Sequence, residues 1–176
     1  MEKKISSETI YEGKVIHVTK DEVLCENGVQ SVRECVQAPG GVAILAVENQ
    51  SILLVKQYRY VVKEETLEIP AGKIELNEVL EITAARELEE ETGYRAEHFK
   101  KIFTFYPTPG FCGETLHIYE AEHLTKVANP KAMDADEDLM CFFLNLQDAY
   151  QLVMDGTIKD SKTIIAIQYA YQKAGW

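Results

Sequence analysis

Short β-prone runs of apolar and polar positions fill the first part of the chain. Thr9 to Thr19 carries Ile10, Tyr11, Val15, Ile16 and Val18, with a bend expected at Gly13. Asp21 to Cys25 and Val29 to Val36 flank Glu26-Asn27-Gly28. Asn-Gly between two such runs is the best short hairpin signal, so residues 8–37 predict an antiparallel meander. The segment has few large apolar residues for its length and is not expected to be stable alone. Pro39-Gly40-Gly41 then breaks the chain.

Beyond the break, Val42 to Val47 and Ser51 to Arg59 enclose Glu48-Asn49-Gln50 and predict a hairpin in a central sheet. Thr66 to Ile69 reads as a short strand, followed by Pro70-Ala71-Gly72. The pattern then changes period. Leu80, Ala84 and Leu88 recur every four residues between Asn77, a good helix cap, and Gly93, a good helix stop. Lys101 to Tyr106, Thr115 to Ala121 and Leu139 to Leu144 read as further strands, the first two separated by the loop from Pro107 to Glu114. Asn145 caps a helix ending near Asp155-Gly156, and a last helix runs from Ser161 to Lys173 with Ile164, Ile165, Ile167 and Ala170 facing the core. Strands interleaved with helices predict a layered α/β domain with a mixed central sheet. Two parts are expected: residues 1–40 as the N-terminal meander and 41–176 as the main domain.

Composition narrows the class. A chain of 176 residues is long enough for one domain with a sizeable core. No apolar run approaches the roughly 20 residues that span a bilayer. MEKKISSETI lacks the apolar centre of a signal peptide, so the expected location is cytoplasmic. The net charge of −11, from 29 acidic and 18 basic residues, argues against broad binding to nucleic acid or anionic membranes. Cys25, Cys35, Cys112 and Cys141 show neither CxxC pairing nor zinc spacing and read as reduced, mostly buried thiols.

One helix carries chemistry. At about 100° per residue, Glu87, Glu90 and Glu91 fall within one arc at the edge of the apolar stripe, whereas Glu89 points to the opposite side and is expected to be solvated. Two such carboxylates about 5 Å apart repel by roughly 3 kcal/mol at an effective dielectric near 20. Arg86 offsets part of this. Clustered carboxylate oxygens suit a hard cation, and Mg²⁺ in particular takes carboxylates together with water and substrate phosphates.

The wider stretch, GKIELNEVLEITAARELEEETGY from Gly72 to Tyr94, resembles the Nudix box through Gly72, Glu78 and the run Arg86-Glu87-Leu88-Glu89-Glu90-Glu91-Thr92-Gly93. Tyr94 occupies a position where that pattern has an aliphatic residue, and Asn77 one where a glycine is common. The resemblance implies an α/β/α sandwich and a Mg²⁺-dependent hydrolase of nucleoside diphosphates linked to another moiety, with Mn²⁺ as the alternative cation. Glu68-Ile69-Pro70-Ala71-Gly72, Gln57-Tyr58-Arg59, Arg33-Glu34, Pro109, and Gly156-Thr157-Ile158-Lys159-Asp160 with Lys162-Thr163 are similar to the ADP-ribose pyrophosphatase branch. That branch implies hydrolysis of ADP-ribose to AMP and ribose 5-phosphate.

By the same resemblance Glu87 and Glu91 are metal ligands, Glu90 is a ligand or a catalytic group beside them, and the Ala71 carbonyl completes a site. Arg86 and Glu78 hold the glutamates in place. Glu137, in Asp134-Ala135-Asp136-Glu137-Asp138, is the expected general base, with Asp136 and Asp138 as alternatives. Arg59, Arg33, Glu114 and Glu68 are the expected substrate contacts. The branch also implies a homodimer whose N-terminal meander is exchanged between subunits, with Tyr11 or His17 at the adenine. Two other readings are a hydrolase of another nucleotide sugar, such as GDP-mannose or UDP-glucose, and a non-catalytic ADP-ribose sensor.

Overall fold

The computed structural model describes residues 1–131 and 139–176. They form two units, one made of Met1–Gly40 with Phe105–Leu116 and the other of Gly41–Thr104 with His117–Trp176.

In the first unit β1 (Lys3–Glu12), β2 (His17–Leu24) and β3 (Gln30–Gln37) form an antiparallel three-stranded sheet in the order β1-β2-β3. The β2–β3 hairpin closes with Leu24 opposite Gln30, and Gly28 takes φ 82°, which glycine adopts without a Cβ penalty. β1 starts before the apolar pattern does. Its polar residues from Lys3 to Ser7 are recruited by main-chain pairing with Leu24 to Asp21, which does not depend on side-chain polarity. All ten of its residues are exposed. The segment Phe105–Leu116 joins this unit through Val36 N donating to Phe111 O and Gly113 N to Val36 O.

The second unit is built on a mixed central sheet. Its strands are β4 (Gly41–Glu48), β5 (Ser51–Arg59), β6 (Glu64–Glu68), β7 (Ala71–Lys73), β8 (Tyr94–Phe105), β9 (Leu116–Lys126) and β10 (Leu139–Asn145). They run in the order β10-β5-β4-β9-β8, with β6 on β5 and β7 on β4. The β4–β5 turn places Asn49 and Gln50 at φ 47° and 61°, the positive pair that matches the twist of a tight hairpin. β4 is buried from Gly41 to Ala46, so both of its faces are covered. Val42, Ile44 and Ala46 face α1 (Leu80–Thr92) together with Leu53, Tyr119 and Ala121. Ala84 and Leu88 are the α1 residues sealed into that core, with Leu80 packed at its edge. Burying Leu88 completely is worth about 2 kcal/mol. α2 (Leu146–Met154) packs against β10 and β5, and α3 (Ser161–Lys173) against β4 and β6.

Several sequence expectations are corrected. α1 starts at Leu80, not after Asn77, because Asn77 sits at φ 64° in a left-handed turn and Val79 is the residue preceding the helix. Val79 O accepts from the amides of Ile82 and Thr83 at 2.9 and 3.0 Å. Gly93 ends the helix as expected, at φ 67°, with its amide on Glu89 O at 2.8 Å. On α3 the buried residues are Lys162, Thr163, Ala166, Ile167 and Ala170, while Ile164 and Ile165 are half-buried. The helix is rotated from its apolar reading by a polar network at its start. The four cysteines are half-buried free thiols, not mostly buried ones. Among the described residues no helix is long and apolar enough to cross a membrane.

Candidate metal-dependent hydrolytic site

The loop between β7 and α1 exists to set one arginine. Glu78 Oε2 accepts from Glu75 N at 3.2 Å and from Thr83 Oγ1 at 2.8 Å, which fixes its carboxylate below the first turn of α1. Arg86 then binds it through Nε to Oε1 at 3.0 Å and Nη2 to Oε2 at 3.1 Å. These bonds from Arg86, aided by Thr83 and Glu75 against the opposing effect of partial burial, hold the Glu78 carboxyl at about 2. The same arginine donates Nη1 to Glu87 Oε1 at 2.7 Å and to Glu90 Oε2 at 3.0 Å. The bond to Glu78, with Glu87 and Glu90 beside it, raises the already high pKa of Arg86 further. One guanidinium thus joins three carboxylates.

Glu91 closes the arrangement from the strand side, its Oε2 accepting from Ala71 N at 2.9 Å. Gly72 supplies the space. A Cβ there would lie 1.8 Å from Glu87 Cδ and Oε1, so only a residue without a side chain allows the Glu87 carboxylate its position. Glu87 and Glu91 are both buried and Glu90 is half-buried. Ala71, Gly72, Glu78, Arg86, Glu87, Glu90 and Glu91 therefore lie together.

A second cluster adjoins the start of β7. Arg59, at the end of β5, donates Nε and Nη2 to the two oxygens of Glu68, both at 2.7 Å. Thr66 Oγ1 and Lys162 Nζ complete the shell of Glu68 at 2.6 and 2.5 Å. Burial alone would raise the Glu68 carboxyl, but Arg59, Lys162 and Thr66 outweigh it and hold the group at about 2. The bond to Glu68 likewise raises Arg59, against burial and with help from the charges of Glu91 and Asp160. Lys162, Asp160, Thr163 and Thr66 are the participants that received no role from the sequence. The available signal was Asp160 three residues before Thr163, a helix-cap spacing.

Glu89 is a further correction. Expected to be solvated, it is buried, its carboxylate taking Arg95 Nε at 2.7 Å and Nη2 at 2.9 Å and Lys131 N at 3.3 Å. The Arg95 bonds, opposed by burial and aided by Lys131, lower its pKa. Arg33 and Glu114 belong to the first unit. There Arg33 is bonded to Glu2 and to Ser31 Oγ, and Glu114 is half-buried. Glu137, with Asp134, Asp136 and Asp138, lies outside the described residues.

With this geometry in view, the NUDIX domain model matches residues 38–165. The chain belongs to the NUDIX family. Its Nudix box runs from Gly72 in β7 through the Glu78 loop and α1 to Tyr94. The chain is 44% identical over 173 residues to an ADP-ribose pyrophosphatase of Bacillus subtilis (strain 168), covering 98% of this chain and 94% of that one. It is 43% identical over 169 residues to a methanol dehydrogenase activator of Bacillus methanolicus, covering 96% and 91%. A crystal structure of an ADP compounds hydrolase superposes with TM-score 0.86 over 97% of this chain and 92% of that one. At 21% identity it establishes the shared α/β fold.

Nudix hydrolases generally use divalent metal ions, and the donors here fit one. Glu87, Glu90 and Glu91 offer only hard oxygen atoms, the chemistry that Mg²⁺ and Mn²⁺ prefer. The cradle at Gly72 keeps one of these carboxylates against the β7 backbone. As placed, Arg86 lies between Glu87 and Glu90, and among the described residues no three His, Cys, Asp or Glu side chains converge as a ready ion cage.

Proposed function

We propose that this Nudix hydrolase cleaves the diphosphate of ADP-ribose with Mg²⁺, or Mn²⁺ as the alternative, giving AMP and ribose 5-phosphate. The observation that carries this reading is the placing of Glu87 at the Gly72 backbone and Glu91 on the Ala71 amide, with Arg86, anchored by Glu78, bonding Glu87 and Glu90. The 44% identity to an ADP-ribose pyrophosphatase supports the substrate. Water adds to one phosphorus, the bridging oxygen leaves with the other phosphate, and the two protons of the water are released as both phosphomonoesters ionise.

Glu87, Glu91, Glu90 and the Ala71 carbonyl would hold the cation, which neutralises phosphate charge and makes water a better nucleophile when bound. Arg86 keeps Glu87 and Glu90 aligned, and Glu90 is either a ligand or a catalytic group beside the water. Glu137 is the proposed general base, with Asp136 and Asp138 as alternatives. Arg59 is the proposed diphosphate contact, because a guanidinium engages phosphate oxygens in pairs. Arg33, Glu114 and Glu68 complete the proposed substrate set, Glu68 acting through the arginine it binds. The chain is further proposed to be a homodimer, checked by light scattering.

The test is product analysis on ADP-ribose beside other nucleotide sugars with Mg²⁺. A second reading comes from the 43% relative: the hydrolase also stimulates another enzyme as an activator. Adding the protein to a methanol dehydrogenase assay separates the two, since unchanged dehydrogenase rate removes the second.

A further inference from the structure

The first turn of α3 grips two consecutive residues next to the candidate site. Lys162, 7% exposed, donates Nζ to Glu68 Oε2 at 2.5 Å and pairs with Asp160 Oδ1 at 2.9 Å. Asp160 Oδ2 accepts from Thr163 N at 3.0 Å and Thr163 Oγ1 at 2.5 Å. Thr163 Oγ1 in turn accepts from Ile69 N at 2.8 Å. The side chain of Glu68 and the backbone of Ile69 are therefore both fixed from α3. Pro70 follows, its carbonyl accepting from Ile44 N at 2.8 Å, and then Ala71 N meets Glu91 and Gly72 cradles Glu87.

A buried lysine is a poor way to gain stability. Desolvating a charged pair offsets most of its attraction, and well-packed apolar residues of similar volume often do as well or better. What the polar network offers instead is a fixed geometry. Glu68 has two cationic partners, so Arg59 is not its sole counter-ion and holds its position through one edge only. The Arg59 side chain keeps 45% of its surface exposed while Glu68 is sealed beneath it.

We propose that Lys162 and Thr163 are positioning residues for the candidate site, fixing the Glu68–Gly72 segment so that the Ala71 amide meets Glu91 and Arg59 presents its outer edge to an anion. The part concerning Arg59 rests on its reading as a diphosphate contact; the part concerning Ala71 does not. Outer partners of this kind usually matter about 10- to 100-fold for activity or metal affinity.

The experiment combines amide hydrogen exchange at Ala71 with steady-state kinetics on ADP-ribose, using Thr163→Val, Thr163→Ser and Lys162→Met. Ile167→Val, in the buried face of the same helix, controls for loss of stability alone. Thr163→Val is expected to speed exchange at Ala71 and lower kcat/KM about 10- to 100-fold, with Thr163→Ser restoring both. Lys162→Met is expected to raise KM about tenfold or more with a smaller change in kcat. Exchange at Ala71 no faster in Thr163→Val than in Ile167→Val overturns the proposal, whatever the melting temperatures. If the wild-type chain leaves ADP-ribose intact, the functional reading falls and Ala71 exchange alone decides the positioning claim.

Discussion

A methyl group on Gly72 would have to occupy the space of the Glu87 carboxylate, since it would lie 1.8 Å from Cδ. No small rotation of the backbone removes an overlap of that size, so Gly72→Ala must push Glu87 off the β7 surface. The expected result is a chain that folds but loses turnover by about 10- to 100-fold or more, with weaker binding of Mn²⁺ followed by its paramagnetic signal. Unchanged Mn²⁺ affinity in a folded Gly72→Ala chain would remove Glu87 from the ligands. Residues of this site were legible where spacing alone decides geometry: Glu87, Glu90 and Glu91 share a helix arc, and Arg86 reaches Glu90 one turn on. Glu89 was not. Its partner Arg95 is reached only because Gly93 reverses the chain at φ 67° and β8 doubles back, which no helical projection contains.

Between elements, the tie of β6 to α3 is long in sequence and short in space. Lys162 and Glu68 are 94 residues apart along the chain. A lysine in the first turn of a helix ordinarily reads as solvent-facing, so nothing local signals its burial. Asn145, by contrast, is a cap visible in the sequence, and its side chain accepts the Gln147 amide two residues on. The buried tie has a consequence in acid. Glu68 lies at about 2 in the folded chain against an ordinary 4.5. Its folded-state value is depressed, so its contribution to stability is complete above 4.5 and is lost as pH falls from there through about 2. Melting temperature followed downward through that window should fall more steeply for the wild-type chain than for Glu68→Gln. Equal slopes would mean that Glu68 is not held as an ion.

For the whole molecule, neither the strand order nor the α/β/α layering was readable from alternating periods, the layering being implied by the Nudix resemblance; the succession of strands and helices followed from those periods. The recruitment of Phe105–Leu116 to the first unit did not, because it depends on main-chain bonds to Val36. That first unit exposes Ile5, Ile10, Tyr11, Val15 and Ile16, and β1 is open along its full length. Such a surface is consistent with the proposed homodimer. Removal of residues 1–40 should convert a two-chain mass to a one-chain mass in light scattering, or leave a chain that does not stay folded; an unchanged two-chain mass would refute the role of the meander.

The most direct measurement incubates the purified chain with Mg²⁺ and ADP-ribose, ADP-glucose, GDP-mannose, UDP-glucose or NADH, and separates the products by chromatography. The expected result is AMP and ribose 5-phosphate from ADP-ribose, formed faster than any other product and abolished by EDTA. Faster cleavage of another substrate would move the specificity while keeping the chemistry. Intact ADP-ribose with either Mg²⁺ or Mn²⁺, or cleavage that EDTA leaves unchanged, would contradict a cation-dependent ADP-ribose hydrolase built on Glu87, Glu90 and Glu91.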